Sequence, residues 1–458
     1  CLSLGGGFGT LRRMKKPVIL ISSIIFLLAT FLIVFAANDG FRKCDLKQDT
    51  VCFDKDLKQY SIEENAVLTL EVNTLEYGEA IKSLWSTLHP DANPLNIVLD
   101  NEGSSDVMVL NQNDAAIHYN ELLVLDTNIE NKVSTISSEL NLEGLRYLPM
   151  SGEGFAFITN KTELERLTGN WTDTNANNIH DAFESYESII NAQGDWQTDK
   201  RKLVLSLSEP YTIYPLLTSN GWKIFEEYSS YYPGFENESF LESLKFIETL
   251  STVNWNGSEN NSAISYTWDF PNVLFDDSFV FSQVATWMFV EEMDSKHESE
   301  WVISSFPKAL NSSDSSLHPM LTEVMGYSIN STTLYPSAAH ELIRLMYSLD
   351  GLQAKVNNDD RILLSDKETL DGLNFINSIQ KQFAYAFLES ESEPLSAVED
   401  YPNLLAIRLF YEIDLESTIQ RLWNKEITVE EAQIELALKS DQWIISKTKL
   451  FEGKINHE

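Results

Sequence analysis

Short apolar runs alternate with amphipathic segments along the first half of the chain. Strands are predicted where apolar and β-branched residues cluster, at residues 67–72, 96–99, 105–110, 155–159 and 203–206. Between the first two, apolar residues recur at helical spacing near residues 77–88, and this helix is expected to stop at His89-Pro90. Because strands alternate with helices, the pattern predicts an α/β fold with a mostly parallel sheet.

Helices dominate the second half of the pattern. Long amphipathic segments lie at residues 238–251, 337–349, 367–382, 402–422 and 428–440. The last of them starts with Thr428 and Glu431 at the spacing of a capping box, which marks a helix start. We therefore expect a mainly helical carboxyl-terminal third.

An uncharged run from Pro17 to Ala37 precedes the predicted globular part and is long enough to cross a hydrocarbon core of about 30 Å. Arg12, Arg13, Lys15 and Lys16 precede it and place its start in the cytoplasm. A signal peptide and a membrane anchor both fit residues 14–37, with Met14 as the expected start and residues 1–13 as upstream translation. Either reading puts the rest of the chain at the extracellular face of the membrane.

Residues 38–65 are polar and are predicted to be a tether. They contain Cys44 and Cys52, which either form a disulfide outside the cell or remain free thiols. The chain has only three cysteines, which excludes a disulfide-dense scaffold and a cysteine-rich zinc site.

The charge balance narrows the range of partners. The chain has 69 acidic and 33 basic residues, a formal net charge of −36. Nucleic-acid binding requires basic patches, so nucleic acid is excluded as a partner, and anionic lipid headgroups are disfavoured. The acidity favours a neutral or cationic ligand.

Several segments, in order, are similar to the extracellular solute-binding proteins of sugar ABC transporters, of the maltose- and maltodextrin-binding type (family 1). Residues 152–161 resemble that family's crossover strand, and residues 207–216 resemble its Q-E-P-Y-F-T-W-P-L segment. Further similar segments lie at residues 67–90, 105–110, 121–126, 284–288, 306–307, 325–329 and 428–432. The resemblance covers about residues 66–440.

The resemblance implies a periplasmic-binding-protein-like fold, with two α/β lobes joined by a multi-strand hinge. Lobe 1 would comprise residues 66–150 plus 305–355, and lobe 2 residues 151–304 plus 356–458. It also implies a function without catalysis, in which a sugar or another small neutral or cationic solute binds between the lobes and passes to the permease subunits of an ABC importer. No cofactor is required.

The ligand-binding residues implied by the resemblance are Glu153 and the Glu209-Pro210-Tyr211 segment. Trp287 and Tyr411 are further candidates, because aromatic faces stack on sugar rings.

The sequence departs from the family pattern at positions that matter for specificity. Glu292 and Glu412 stand where the family commonly has stacking tryptophans, and Thr74-Leu75 replaces an Asp-Lys pair. A different sugar, or a cationic or zwitterionic solute that meets the extra carboxylates, becomes a plausible ligand.

A second motif resembles a calcium-binding loop. Oxygen-bearing side chains occupy positions 1, 3, 5, 9 and 12 of a twelve-residue loop, with a backbone carbonyl expected at position 7. The candidate ligands are Asp173, Asn175, Asn177, Ile179, Asp181 and Glu184. An asparagine-rich loop that caps the next helix is the alternative.

Two other functions stay open at this point. A glycoside-acting enzyme could use Glu153 and Glu209 as paired carboxylates. A degenerate binding lobe could serve as an adhesin, which would agree with the missing stacking residues.

Overall fold

The protein is described here by a computed structural model, which forms two compact units, residues 1–61 and Ile62–Glu458. The predicted segment at residues 17–37 lies outside the residues that the structure describes. Within the part of the chain that is described, no helix is long and apolar enough to cross a membrane. The described residues are 44, 46, 50–99, 105–129, 144–192, 201–224, 233–252, 264–265, 279–288, 300–310, 316–390, 393–394 and 406–455.

The first unit contains a small antiparallel hairpin. Its strands are β1 (Phe53–Asp54) and β2 (Gln59–Tyr60), and the rings of Phe53 and Tyr60 meet edge to face at 4.9 Å. Cys44 and Cys52 form a disulfide beside this hairpin. Of the two alternatives left open for these cysteines, the disulfide is therefore the one observed.

The second unit is organised around one mixed sheet, which has eleven strands in the described residues. They are β3 (Thr69–Val72), β4 (Asn96–Leu99), β5 (Val107–Asn111), β6 (Leu148–Asn160), β7 (Arg201–Ser206), β8 (Ile264–Ser265), β9 (Phe279–Ala285), β10 (Trp301–Ser304), β11 (Met320–Ile329), β12 (Ile362–Leu363) and β13 (Glu393–Pro394). The order is β4-β3-β5-β11-β6-β9-β7-β8, with β10 and β12 paired to β6 and β13 paired to β11. All five predicted strands overlap observed ones.

Thirteen α-helices accompany the sheet in the same described part of the chain. They are α1 (Leu75–Leu88), α2 (Gln112–Ile117), α3 (Lys161–Thr168), α4 (Tyr186–Asn191), α5 (Pro210–Leu217), α6 (Glu238–Thr252), α7 (Pro336–Met346), α8 (Leu349–Asn358), α9 (Lys367–Gly372), α10 (Ser378–Glu389), α11 (Ala406–Glu412), α12 (Leu415–Trp423) and α13 (Val429–Ile455). The predicted capping box is confirmed, because Thr428 Oγ1 accepts the N–H of Glu431 at 3.2 Å and Glu431 Oε2 accepts the N–H of Thr428 at 2.8 Å.

Two predicted helices are each split in the structure. The segment predicted at 367–382 contains α9 and α10, separated by Leu373 in an extended conformation and by Asn377, whose side chain caps α10. The segment predicted at 402–422 contains α11 and α12, separated by Asp414 with a positive φ of 56°. The Asn377 cap breaks the first segment, and the left-handed backbone of Asp414, which makes no capping hydrogen bond with its side chain, breaks the second.

Strand β6 runs through both halves of the sheet. Its first half pairs with β11 and its second half with β9 and β10, all antiparallel. The outer strands are parallel, since β3 pairs in parallel with β4 and β5, and β7 with β8 and β9. The prediction of a mostly parallel sheet is therefore right for the outer strands and wrong for the centre, where the chain passes from one half to the other and returns.

Glycines allow β6 and β11 to approach closely at this crossing. A Cβ at Gly152 would lie 3.1 Å from the Glu323 carbonyl oxygen, and one at Gly154 would lie 3.0 Å from the Met320 carbonyl oxygen. Both distances are tight for a carbon–oxygen contact, so glycine suits these two positions.

Two hydrophobic clusters flank the crossing. The larger one includes Phe155 and Trp222, and it also contains Phe306, Ala309 and Leu317. The smaller one consists of Met108, Ala115, Leu122 and Tyr147, all close to the first half of β6. The lobe boundaries given above stay a prediction, and Phe306, Ala309 and Leu317, which fall in predicted lobe 1, belong to the larger cluster.

Candidate ligand-binding cleft

A cavity of ≈ 630 Å³ opens beside the hinge strand β6. Two of the residues predicted to bind ligand, Glu153 and Trp287, line it together. Six further polar residues line it that the sequence analysis did not single out, namely Thr286, Asn357, Asp360, Arg361, Asn377 and Gln380. Carboxylate, guanidinium, hydroxyl and indole groups thus face one volume large enough for a short oligosaccharide.

Glu153 lies in the middle of β6, directly opposite Glu323 of β11. It is half-buried, and burial raises the pKa of the Glu153 carboxyl, while the nearby Arg361 guanidinium partly offsets that effect. Arg361 Nη1 lies 3.0 Å from Glu323 Oε2, so the arginine is paired with the carboxylate on the neighbouring strand. The Glu153 carboxylate makes no hydrogen bond or ion pair with any residue that the structure describes.

Buried contacts on the side away from the cavity fix the segment that carries Asp360 and Arg361. Lys355 at the end of α8 forms a buried ion pair with Asp359. Asp359 Oδ1 also accepts the N–H of Arg361 at 2.9 Å, and the Asp359 carbonyl oxygen accepts a hydrogen bond from Gln380 Nε2 at 3.0 Å. These contacts fix the turn between α8 and β12, so Asp360 and Arg361 occupy defined positions at the cavity.

Trp287 follows directly after β9, in the short 3₁₀ turn Thr286–Met288. The edge of its indole packs on Phe155 at a centroid distance of 5.2 Å and an interplanar angle of 82°. The side chain is 47% exposed, so much of its surface remains available at the cavity. Thr286 Oγ1 is buried there and has no hydrogen-bond partner among the described residues. An exposed indole and an unsatisfied hydroxyl are features of a site built for a polar ring.

A second group of predicted residues forms its own cluster. Glu209 is the N-cap residue of α5, and Pro210 is the first residue of that helix, a position where proline costs no hydrogen bond. The hydroxyl of Tyr411 donates a hydrogen bond to Glu209 Oε2 at 2.7 Å. Burial, with a smaller contribution from Glu209, raises the pKa of Tyr211 to about 12.

The sheet register relates the two groups to each other. Strands β7 and β9 are parallel, and Val204 pairs with Ser282. Glu209 and Trp287 each lie five residues beyond this pair, at the carboxyl ends of neighbouring parallel strands. Such an edge is where ligands bind in open α/β sheets. The buried amide of Gln283 joins the two strand ends, since its Nε2 donates to the Thr212 carbonyl oxygen at 2.8 Å.

The structure thus brings Glu153 and Trp287 into the cavity and gathers Glu209, Pro210, Tyr211 and Tyr411 into a cluster outside the residues that line it. Of the two glutamates at expected tryptophan positions, Glu292 lies outside the described residues, and Glu412 Oε2 accepts a hydrogen bond from Trp443 Nε1 at 2.6 Å. The sequence signal that could have identified Asp360 and Arg361 was the charged run after α8.

The candidate calcium loop has the local shape that its sequence predicts, with Asn178 at a positive φ of 62°. Its carboxylates accept hydrogen bonds from the loop itself. Asp173 accepts the backbone N–H groups of Asn177 and Asn178, at 3.1 and 3.0 Å. Asp181 Oδ1 accepts the N–H of Thr174 at 2.8 Å, and this contact is the main reason that the pKa of Asp181 is lowered.

The remaining loop ligands are also engaged. Glu184 Oε1 accepts a hydrogen bond from Asn175 Nδ2 at 2.7 Å, and Asn177 Oδ1 accepts the N–H of Ile179 at 2.9 Å. Across the described residues, no group of three or more His, Cys, Asp or Glu side chains is placed to hold a metal ion. Calcium binding stays a prediction, and it would require these carboxylates to exchange internal hydrogen bonds for metal contacts.

Comparison with known proteins gives no matching family model. In sequence, the chain is 27% identical over 128 residues to the cytochrome c biogenesis protein Ccs1 of Phaeodactylum tricornutum, a match that covers 26% of this chain and 30% of that protein. The chain thus spans about a third of the length of that relative.

Solved structures match over most of the chain. An extracellular solute-binding protein from Staphylococcus aureus in complex with maltose superposes with a TM-score of 0.63 and 14% identity, covering 84% of this chain and 99% of that one. A cyclo/maltodextrin-binding protein complexed with maltotetraose superposes with a TM-score of 0.61 and 14% identity, covering 84% and 98%. The chain has the two-lobe α/β fold of the maltose- and maltodextrin-binding solute-binding proteins.

Proposed function

We propose that this protein is an extracellular solute receptor that binds a saccharide in the cavity beside β6. The observation that carries the proposal is the meeting of Glu153 and Trp287 in one cavity at the strand shared by both halves of the sheet. Both solved neighbours with this fold hold a maltose-type sugar, in agreement with a sugar ligand here.

The groups around the cavity suit the chemistry of a sugar. An indole face stacks on the apolar face of a pyranose ring, and carboxylate, guanidinium and hydroxyl groups hydrogen-bond its hydroxyls. Trp287 supplies the indole, while Glu153, Asp360, Arg361 and Thr286 supply the polar atoms. A buried hydroxyl such as Thr286 Oγ1 would find in a sugar the partner that it lacks in the described chain.

The position of the cavity also suits a receptor that closes on its ligand. Its lining comes from β6, from the turn after β9, from the segment between α8 and β12, and from the start of α10. Ligand contacts to both sides would favour a closed form, the usual hinge mechanism of binding proteins. We propose that the closed receptor delivers its solute to an ABC permease at the extracellular face of the membrane.

A glycoside-acting enzyme is the weaker candidate. It requires two carboxylates that flank the scissile bond. Glu153 lines the cavity, whereas Glu209, its suggested partner, lies outside that lining and accepts a hydrogen bond from Tyr411. Turnover of a labelled glycoside by the purified protein would contradict the receptor proposal.

The proposal is tested by calorimetric titration with a saccharide panel that includes maltose and maltotetraose. For a sugar that binds, Glu153→Gln should weaken affinity about ten-fold to over a hundred-fold, because a hydrogen bond to a charged group is worth about 1.5–3 kcal/mol. Trp287→Ala should weaken it by about ten-fold or more through lost stacking.

The matched control is Glu389→Gln. Glu389 has, like Glu153, a carboxyl pKa raised mainly by partial desolvation, but the residue is exposed and lies outside the lining of the Glu153 cavity. Its replacement should leave affinity unchanged. Saccharide binding that is insensitive to both cavity variants would place the site elsewhere, and the absence of any saccharide binding would remove support for a sugar receptor and favour the adhesin alternative.

A further inference from the structure

The charges around the Glu153 cavity do not balance. Glu153, Asp360 and Arg361 line the cavity, and Glu323 lies opposite Glu153 on β11, so these three carboxylates and one guanidinium carry a net formal charge of −2. Arg361 is paired with Glu323 at 3.0 Å. Neither Glu153 nor Asp360 makes a hydrogen bond or an ion pair with any residue in the described ranges.

The nearest buried lysine does not restore the balance. Lys355 lies behind the cavity segment, where its ammonium pairs with Asp359 and sits 5.4 Å from the centroid of the Tyr77 ring. Both members of this pair are buried, and together they add no net formal charge beside the cavity. Within the described residues that line the cavity there is no lysine.

Closure of the cleft would make this imbalance more costly. Glu153 is already half-buried, and a carboxylate that loses more water without gaining a cation is strongly disfavoured. Hydroxyl groups of a neutral sugar can donate hydrogen bonds to it, but they bring no compensating charge. A ligand ammonium would bring that charge, and it would also be attracted to the exposed indole of Trp287, since tryptophan is the best aromatic partner for a cation.

The electrostatic field of the whole protein also favours a cationic ligand. The chain carries a formal net charge of −36, which raises the local concentration of cationic solutes and accelerates their encounter with an acidic cleft. The cavity volume of ≈ 630 Å³ has room for a ring that bears the ammonium, with space for a further sugar unit.

We propose that the ligand of this cleft is an amino sugar, a saccharide that carries a protonated amino group, recognised by Glu153, Asp360 and the face of Trp287. The inference rests on the proposed saccharide receptor function and specifies its substrate class. Arg361 has a positioning role, because its pairing with Glu323 orients it and leaves the other two carboxylates for the ligand.

The test compares ligands that differ only at one substituent. Glucose, N-acetylglucosamine and glucosamine, and the corresponding neutral and amino disaccharides, are titrated calorimetrically into the full chain at a pH where the amine is protonated. The amino sugars should bind at least ten-fold more tightly than their neutral counterparts. This preference should fall as salt is added, because ionic screening weakens the attraction between exposed charges.

Single substitutions show which residues cause the preference for amino sugars over neutral sugars. Glu153→Gln and Asp360→Asn should each reduce the ratio of amino-sugar to neutral-sugar affinity by about ten-fold, whereas Glu389→Gln should leave it unchanged. The ligand series on the unaltered protein decides the matter even where a variant fails to fold.

The possible failures are distinguishable. Neutral sugars that bind as tightly as amino sugars would overturn the amino-sugar inference and leave the saccharide receptor standing. Putrescine that binds as tightly as the amino sugars would also overturn it, because the ring would then play no part. If no saccharide of either kind binds, the proposed function itself fails.

Discussion

The loop at residues 173–184 and the segment at residues 357–363 are both rich in carboxylates and amides, yet they use them differently. In the loop, Asp173 accepts backbone N–H groups of the same loop, so its oxygens are already engaged. In the segment, Asp359 performs this internal role by pairing with Lys355, and the adjacent Asp360 lines the cavity. Carboxylates are similarly frequent in both places, with three among the twelve loop residues and two among the seven residues of the segment. The difference is that Asp359 makes the structural contacts of its segment and leaves Asp360 for a ligand, whereas Asp173 makes the structural contacts of the loop itself.

The largest effect on stability is expected for the buried Lys355–Asp359 ion pair, which anchors the segment at residues 357–363. Lys355→Met leaves Asp359 buried without its cation, and this should lower the free energy of unfolding by about 3–5 kcal/mol. Urea denaturation measures the loss. The matched control is Lys367→Met, which removes an exposed pair with Asp371 at the same i, i+4 spacing and should cost about 0.3–0.5 kcal/mol. Equal losses in the two variants would show that the Lys355–Asp359 pair is not an anchor.

A smaller effect is expected in the loop. Asp173→Ala removes the acceptor of two backbone N–H groups and should lower the free energy of unfolding by about 1.5–3 kcal/mol. Asp173→Asn keeps an acceptor oxygen and should lose less. By contrast, Asp360→Ala should change stability by about 0.5 kcal/mol or less, because this exposed residue holds no part of the described fold. If Asp360→Ala destabilised the protein as much as Asp173→Ala, the contrast between the two regions would be wrong.

Calcium titration tests whether the carboxylates of the loop at residues 173–184 can bind a ligand as well as the loop itself. The loop spacing predicts weak binding, with a dissociation constant of about 10⁻⁴–10⁻³ M. Calcium at ten times that constant should then stabilise the protein by about 1.4 kcal/mol, seen as a higher melting temperature, and magnesium should do so much less. The double variant Asp173→Ala with Glu184→Ala should lose the calcium-specific shift. A parent protein without that shift would leave the loop as a self-contained turn.

The smallest effect is expected at the Glu209 cluster. Tyr411→Phe removes one hydrogen bond from a half-exposed hydroxyl and should cost about 0.5–1.5 kcal/mol of stability. Ligand affinity should change by less than about three-fold, because Tyr411 does not line the Glu153 cavity. A loss of ten-fold or more in titration would extend the binding site to Glu209 and favour the role that the family resemblance gives it.

Much of the fold was predictable because it follows from local patterns. Strand β7 is buried from Lys202 to Ser206, as expected of the apolar run predicted at residues 203–206, and Thr428 and Glu431 fix the start of α13 by neighbouring contacts alone. The antiparallel pairing of strands in the centre of the sheet could not be predicted from local patterns. The pairing of β6 with β11 joins residues far apart in the chain, such as Glu153 and Glu323, and alternation of apolar residues carries no information on direction.

The residues of the candidate site also divide into those that a local sequence segment indicates and those that depend on contacts distant in the chain. Glu153 and Trp287 could be predicted because each lies in a segment similar to a known family. For Asp360 and Arg361 the sequence offers only the charged run after α8, and their place at the cavity depends on a turn fixed by Gln380 and by the pairing of Lys355 with Asp359. Glu209 lies outside the cavity lining, and its carboxylate accepts a hydrogen bond from Tyr411, a residue distant in the sequence.

The single strand that runs through both halves of the sheet also limits how this molecule can be taken apart. A chain cut between residues 150 and 151 would divide β6 and leave each fragment with an incomplete sheet and an unpaired strand edge. Such edges aggregate readily, so fragments expressed alone should be insoluble and should regain structure only when expressed together. Because β6 pairs with strands of both halves, we expect the two halves to unfold as one cooperative unit. A reporter domain should therefore be inserted in an exposed loop far from residues 148–160.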